Sequence, residues 1–141
     1  MASDFYRYFK ENMEALGLPA PETLYGNLQL ALANVTAMAK YVDQFGTRVT
    51  VVEMAKAGLR LERLATVGAV SASFYIGAVI GSIAVATGRT LSGGISISDA
   101  LSLAARNSVN KPWLRTMLLR CPGILDAKVA QRSMYRFNAS V

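Results

Sequence analysis

Leu64–Gly88, LATVGAVSASFYIGAVIGSIAVATG, is the stretch whose reading decides the fold. Its 25 residues carry no charge, and Arg63 and Arg89 bracket it. Small residues recur at every fourth position, Ala65, Ala69, Ser73, Gly77 and Gly81, and the last two make a GxxxG. At helical spacing they form one nearly flat stripe. The bulky Val67, Val70, Phe74, Ile76, Val79, Ile80 and Ile83 lie mostly off it. A flat stripe lets a second backbone approach closely, as helices do in lipid.

Two readings of this stretch stay open, a membrane span and the buried centre of a small bundle. As a helix it reaches roughly 37 Å, against a hydrocarbon core of about 30 Å. The flanking arginines can snorkel to headgroups. Against spanning, Leu and Phe are scarce, and Thr66, Ser71, Ser73, Ser82 and Thr87 lower the insertion energy. A segment of moderate apolarity suits a helix that stays covered by protein in water and inserts when uncovered.

Outward from this stretch, the chain reads as helices. Ser3 or Asp4 caps a first helix over about Phe5–Leu16, with Phe5, Phe9, Met13 and Leu16 on one side and Gly17 as its stop. The aromatic cluster Phe5, Tyr6, Tyr8 and Phe9 reads as core packing, with an interfacial anchor as the alternative. Pro21 opens a second helix. There Leu24, Leu28, Ala31, Val35, Met38, Val42 and Phe45 form a heptad seam, and Gly46 ends it. Thr50-Val-Val-Glu53 is a capping box that starts a third helix near Val51. That helix is expected to run unbroken to about Thr87, with breaks at Gly88 and at Ser92-Gly93-Gly94. Shorter helices follow: one from Ser98-Asp99 through LSLAARN, one at WLRTMLLR after Lys111-Pro112, and a last one over about Ile124–Phe137. The expected architecture is all-α, a compact bundle of five to six helices around one long apolar glycine-zipper helix. It forms a single domain over 1–141, with a helical hairpin at 1–46, the long helix at 47–88 and a basic helical part at 95–141.

With 52% apolar and 17% charged residues, the chain is lighter in charge than an average domain at about 25%. Net charge is +6, and all of the excess follows the apolar stretch: 1–63 is balanced, whereas 64–141 holds eight basic and two acidic residues. By the positive-inside rule, this basic part would remain cytoplasmic if the stretch spans. Lys111, Arg115, Arg120, Lys128, Arg132 and Arg136 form a candidate basic surface, and the last three make a ridge of spacing four. Such a surface suits anionic lipid or nucleic acid, or it is a solvated face. Nucleic acid is the weaker expectation, since few aromatics interleave and no binding motif is present.

The chain has no histidine and one cysteine, Cys121. A Cys/His metal cluster, an internal disulfide and a histidine-activated nucleophile are therefore excluded. A Ser or Cys activated by Lys stays conceivable, but no spacing singles one out. The expectation is a protein with no catalytic residues, no metal and no cofactor. Residues 1–16 are amphipathic and mixed in charge, unlike a signal peptide, so export would follow a signal-independent route.

The AxxxAxxxSxxxGxxxG form from Ala65 to Gly81, in a small helical chain of this kind, resembles the pore-forming toxins of bacterial type VI secretion systems. The resemblance implies synthesis in the cytoplasm, carriage inside the haemolysin-coregulated protein tube and insertion in a target cell's inner membrane. It also implies a homo-oligomeric pore that dissipates membrane potential, and neutralisation by a cognate immunity protein. It assigns Ala65, Ala69, Ser73, Gly77 and Gly81 as the packing or pore stripe. A soluble non-enzymatic helical module (adaptor, chaperone or immunity protein) remains the competing expectation.

Overall fold

The computed structural model describes residues 4–56, 70–91, 97–109, 111–126 and 132. Seven α-helices lie among the described residues: α1 (Asp4–Ala15), α2 (Glu22–Tyr25), α3 (Leu28–Phe45), α4 (Val51–Ala55), α5 (Ala72–Leu91), α6 (Ile97–Arg106) and α7 (Pro112–Arg120). A 3₁₀ turn, Pro122–Ile124, follows α7. No strand longer than an isolated bridge occurs among them. The class is all-α, as the periodicities require.

Local chemistry accounts for most boundaries. At the end of α1, the Gly17 N–H bonds to the Glu14 carbonyl at 2.9 Å and the Leu18 N–H to the Met13 carbonyl at 3.0 Å, a Schellman closure with Gly17 at φ 73°. The capping box is formed in full: Thr50 Oγ1 accepts from the Glu53 N–H, and a Glu53 carboxylate oxygen accepts from the Thr50 N–H, each at 3.2 Å. The α6 end uses the same closure as α1, but with Ser108 at φ 59° where glycine is usual.

Three expectations are corrected. The second helix is split, because Asn27 in an extended conformation accepts from the Leu30 N–H at 2.8 Å and starts α3 afresh. The unbroken helix from Val51 to Thr87 is not formed. Instead α4 ends at Ala55, and Thr50 and Ser71 make an antiparallel bridge, with Val51 N–H to Val70 C=O at 2.9 Å and Ala72 N–H to Val49 C=O at 2.8 Å. These bonds take Val70 and Ser71 out of any helix. The Ser71 hydroxyl then accepts from the Phe74 N–H at 3.3 Å and caps α5. The glycine-zipper helix of 25 residues is therefore replaced by α5, whose 20 residues start later and run past Gly88 to Leu91. Finally, the expected last helix opens as the 3₁₀ turn, with Leu125 and Asp126 outside any helix. The remainder of that helix lies outside the described residues apart from Arg132.

The core is built around α5. Every residue from Val70 to Ala86 is buried, including Phe74, Tyr75, Ile76, Val79, Ile80 and Ile83. Each fully buried large side chain of this kind stabilises by roughly 1.5–3 kcal/mol. The helix is walled by α1, α3, α6, α7 and the 3₁₀ turn, and α1 makes the most extensive of these contacts. From α1 come Tyr6, Phe9, Met13 and, just past its end, Leu16; from α3 come Ala31, Val35, Met38 and Val42 of the heptad seam. Leu28 of that seam is half-buried, and Phe45 at its end is 57% exposed.

Candidate functional site

The candidate site is α5 and the side chains that close over it. Of the five stripe residues, Ser73, Gly77 and Gly81 lie on α5, whereas Ala65 and Ala69 lie outside the described residues. Ser73 donates to the Thr47 carbonyl at 3.3 Å, so it serves the turn before α4. Gly77 faces α7: a Cβ there would stand 3.0 Å from Met117 Cγ and 4.0 Å from Leu114 Cδ1. Gly81 faces the 3₁₀ turn, where a Cβ would overlap Ile124 Cγ2 and stand 3.3 Å from Leu125 Cδ2. The GxxxG is thus a surface of close approach, and the chain's own C-terminal part occupies it.

Immediately after Gly81, the polar Ser82 is completely buried. Its hydroxyl accepts from Asn12 Nδ2 at 2.9 Å, and the second hydrogen of the same amide goes to the Ile124 carbonyl, also at 2.9 Å. Asn12 Oδ1 accepts a short bond from the Arg132 guanidinium, whose Nε donates to the Gly123 carbonyl at 2.6 Å. Asn12 therefore joins α1, α5, the 3₁₀ turn and Arg132 through one side chain whose amide hydrogens and carbonyl oxygen are all engaged. Sequence reading missed Asn12. Its signal is a polar residue on the apolar face of α1, three residues after Phe9 and four before Leu16.

A second polar contact sits nearer the start of α5. The Tyr75 hydroxyl donates to the Pro19 carbonyl at 3.1 Å, so Tyr25 donates in the 2.9 Å bond between the two hydroxyls. Burial above all pushes both phenols well above their ordinary value of 10.0, so both stay neutral and serve as structural donors. No buried side-chain nitrogen or oxygen among the described residues lacks a hydrogen-bond partner.

The four described members of the candidate basic surface, Lys111, Arg115, Arg120 and Arg132, differ in their settings. Arg115 and Arg120 are exposed on α7. Lys111 is half-buried and pairs with Asp43 at 2.6 Å, where Trp113 Nε1 also donates at 3.4 Å. Arg132 points inward to Asn12 and Gly123, and Lys128 and Arg136 lie outside the described residues. Cys121 is half-buried and, with its thiol pushed up by burial, is poorly suited to act as a nucleophile. Among the described residues no group of three His, Cys, Asp or Glu could hold a metal ion, and no helix is long and apolar enough to cross a membrane. Compared with known protein families, curated proteins and solved structures, the chain matches none.

Proposed function

We propose that the protein is a non-enzymatic, membrane-inserting toxin of the pore-forming class, with α5 as the part that enters lipid and dissipates the ion gradients of a target cell. The observation that carries this reading is the burial of an unbroken, charge-free run, Val70 to Ala86, on every side. A helix apolar all round needs either a protein shell or lipid. Here the shell is a set of helices joined to α5 at polar points such as Asn12–Ser82 and Tyr25–Tyr75. On release, the surface that Met117 and Ile124 now cover at Gly77 and Gly81 becomes available to a second copy, which supplies the homo-oligomer a pore requires. Delivery by a type VI secretion system, carriage in the haemolysin-coregulated protein tube, action at the inner membrane and a cognate immunity protein belong to the same proposal. They rest on the resemblance of the small-residue stripe.

The test is ion release from vesicles of phosphatidylethanolamine and phosphatidylglycerol, together with membrane-potential dyes in bacteria that direct the chain to the periplasm. Leakage and depolarisation without peptidoglycan or DNA damage are expected. Vesicles that stay sealed at every pH and protein concentration tried would refute the proposal.

A second reading has an observation of its own. Gly77 and Gly81 are already filled by the chain's own C-terminal part, and α5 falls short of a span. This favours a helical interaction module whose small residues serve internal packing alone. Such a module partitions away from membranes on fractionation and arrests no cells.

A further inference from the structure

We propose that α1 is a removable cover for α5, pinned shut by the Asn12 side chain; the inference rests on the reading of α5 as the membrane-entering helix. Three features of the fold lead to it. First, α1 makes the most extensive contact with α5 of any described element, although the two helices lie far apart in the sequence. Asn12 and Ser82 are 70 residues apart, and Asn12 and Ile124 are 112 apart. Second, the α1–α5 contact combines apolar packing with a buried side-chain hydrogen bond, from Asn12 to Ser82. Tyr6, Phe9 and Met13 contribute packing that lipid can replace, because apolar side chains are satisfied equally by protein and by hydrocarbon. Hydrogen bonds are not replaced in this way, so the buried Asn12 amide discriminates the closed state from the open one. Third, the same amide reaches the Ile124 carbonyl, and Ile124 is the residue wedged against Gly81. Freeing Asn12 therefore loosens two walls of α5 together, the α1 side and the 3₁₀-turn side.

The geometry also says which groups suffer when the pin is lost. Asn12→Ala leaves the Ile124 carbonyl and one Arg132 N–H without this partner, and takes the Asn12 bond from the buried Ser82 hydroxyl. The other tethers of α1 remain: Tyr6 donates to the Ala20 carbonyl at 2.6 Å, and Phe9 packs on Tyr25 at 4.8 Å between ring centroids. These hold α1 to the 18–25 segment and not to α5, so the cover can swing while its base stays attached.

The experiment is hydrogen exchange by mass spectrometry on the full chain, paired with vesicle leakage. Three variants are compared with the native chain: Asn12→Ala, Ser82→Ala and Asn34→Ala. Ser82→Ala removes one of the three arms and serves if Asn12→Ala fails to fold. Asn34→Ala removes a bond to the Leu24 carbonyl, 2.7 Å long, that does not involve α5. In Asn12→Ala, the amides of α1 and of the Gly81 turn of α5 are expected to exchange on the order of tenfold to a hundredfold faster, with α3 protected as before. Ser82→Ala is expected to show the same pattern in smaller degree, and Asn34→Ala to leave α1 unchanged. Vesicle leakage should rise in the order of α1 opening. Unchanged protection of α1 in Asn12→Ala, or acceleration spread evenly over all helices, would overturn the cover. Selective opening of α1 with vesicles still sealed would leave the cover standing and sink the membrane reading instead.

Discussion

Gly81 offers the sharpest test of the packing around α5. Adding one methyl at Gly81 places a carbon inside the van der Waals shell of Ile124 Cγ2, with Leu125 Cδ2 at 3.3 Å and Ile124 Cβ at 3.6 Å behind it. Ile124 is completely buried and β-branched, so its methyl cannot swing clear without a change of rotamer in a filled space. Overpacking of this kind costs about 1–3 kcal/mol, partly offset by the roughly 1 kcal/mol that alanine gains over glycine inside a helix. The overlap with the immobile Ile124 places the cost in the upper part of that range, about 2–3 kcal/mol, so Gly81→Ala is expected to be destabilised by about 1–2 kcal/mol net. Gly77→Ala meets a different neighbour, Met117 Cγ at 3.0 Å, on a flexible side chain that gives way by a few tenths of an ångström. There the helix-propensity term prevails, and the change is expected to lie between neutral and about 1 kcal/mol stabilising. Urea unfolding followed by helical circular dichroism and by the single tryptophan, Trp113, measures both. A third variant isolates the contact. Ile124→Ala removes Cγ2, so Gly81→Ala made in that background should recover about 1–2 kcal/mol of coupling. Gly81→Ala as stable as Gly77→Ala, or strict additivity with Ile124→Ala, would refute the close approach of the 3₁₀ turn to α5.

Two further predictions follow from local geometry. Ser108 holds φ 59° at the end of α6, a conformation that costs a non-glycine residue about 1–2 kcal/mol. Ser108→Gly, at an exposed position, should therefore raise the thermal midpoint by the equivalent of roughly 0.5–1 kcal/mol, and a lowered midpoint would contradict the assigned closure. The hydrogen bond from Lys111, joined by that from Trp113, holds the Asp43 carboxyl below its ordinary 3.8. Because the folded value is the lower one, the contribution is complete above 3.8 and is lost as pH falls through the folded value. The stability difference between native chain and Lys111→Met should accordingly be larger at about pH 6 than at about pH 2.5, and a pH-independent difference would remove the pair from the account.

What the sequence made legible was local. The Thr50–Glu53 capping box, the Gly17 stop and the Ala31, Val35, Met38 and Val42 part of the heptad seam each depend on residues within a few positions of one another, and each forms as the spacing requires. The break before α5 was not legible, because the groups that cause it come from different places. Val70 and Ser71 read as part of an apolar helix until Val49, Thr50 and Val51 pair with them from across the chain. Asn27 was passed over for a simpler reason: an amphipathic seam runs through it, and a cap that restarts a helix leaves that seam intact.

The glycine stripe shows the same division between what spacing can and cannot specify. A GxxxG states that some body approaches α5 closely, and the approach of Met117 and Ile124 meets that requirement. It does not state whether the body is the same chain, another copy or lipid-facing helices, because a missing Cβ is a steric condition without an address. The address lies in the polar contacts. Ser82 directly follows Gly81 and has Asn12 as its partner, and only a folded chain can present that amide together with the Ile124 carbonyl. The apolar face of α5 is compatible with two environments, whereas Ser82 and Asn12 together favour one. Whatever the protein does with α5, the choice between shell and release is therefore expected to turn on this pair, whose bonds lipid cannot supply, more than on the many apolar side chains that lipid can accept.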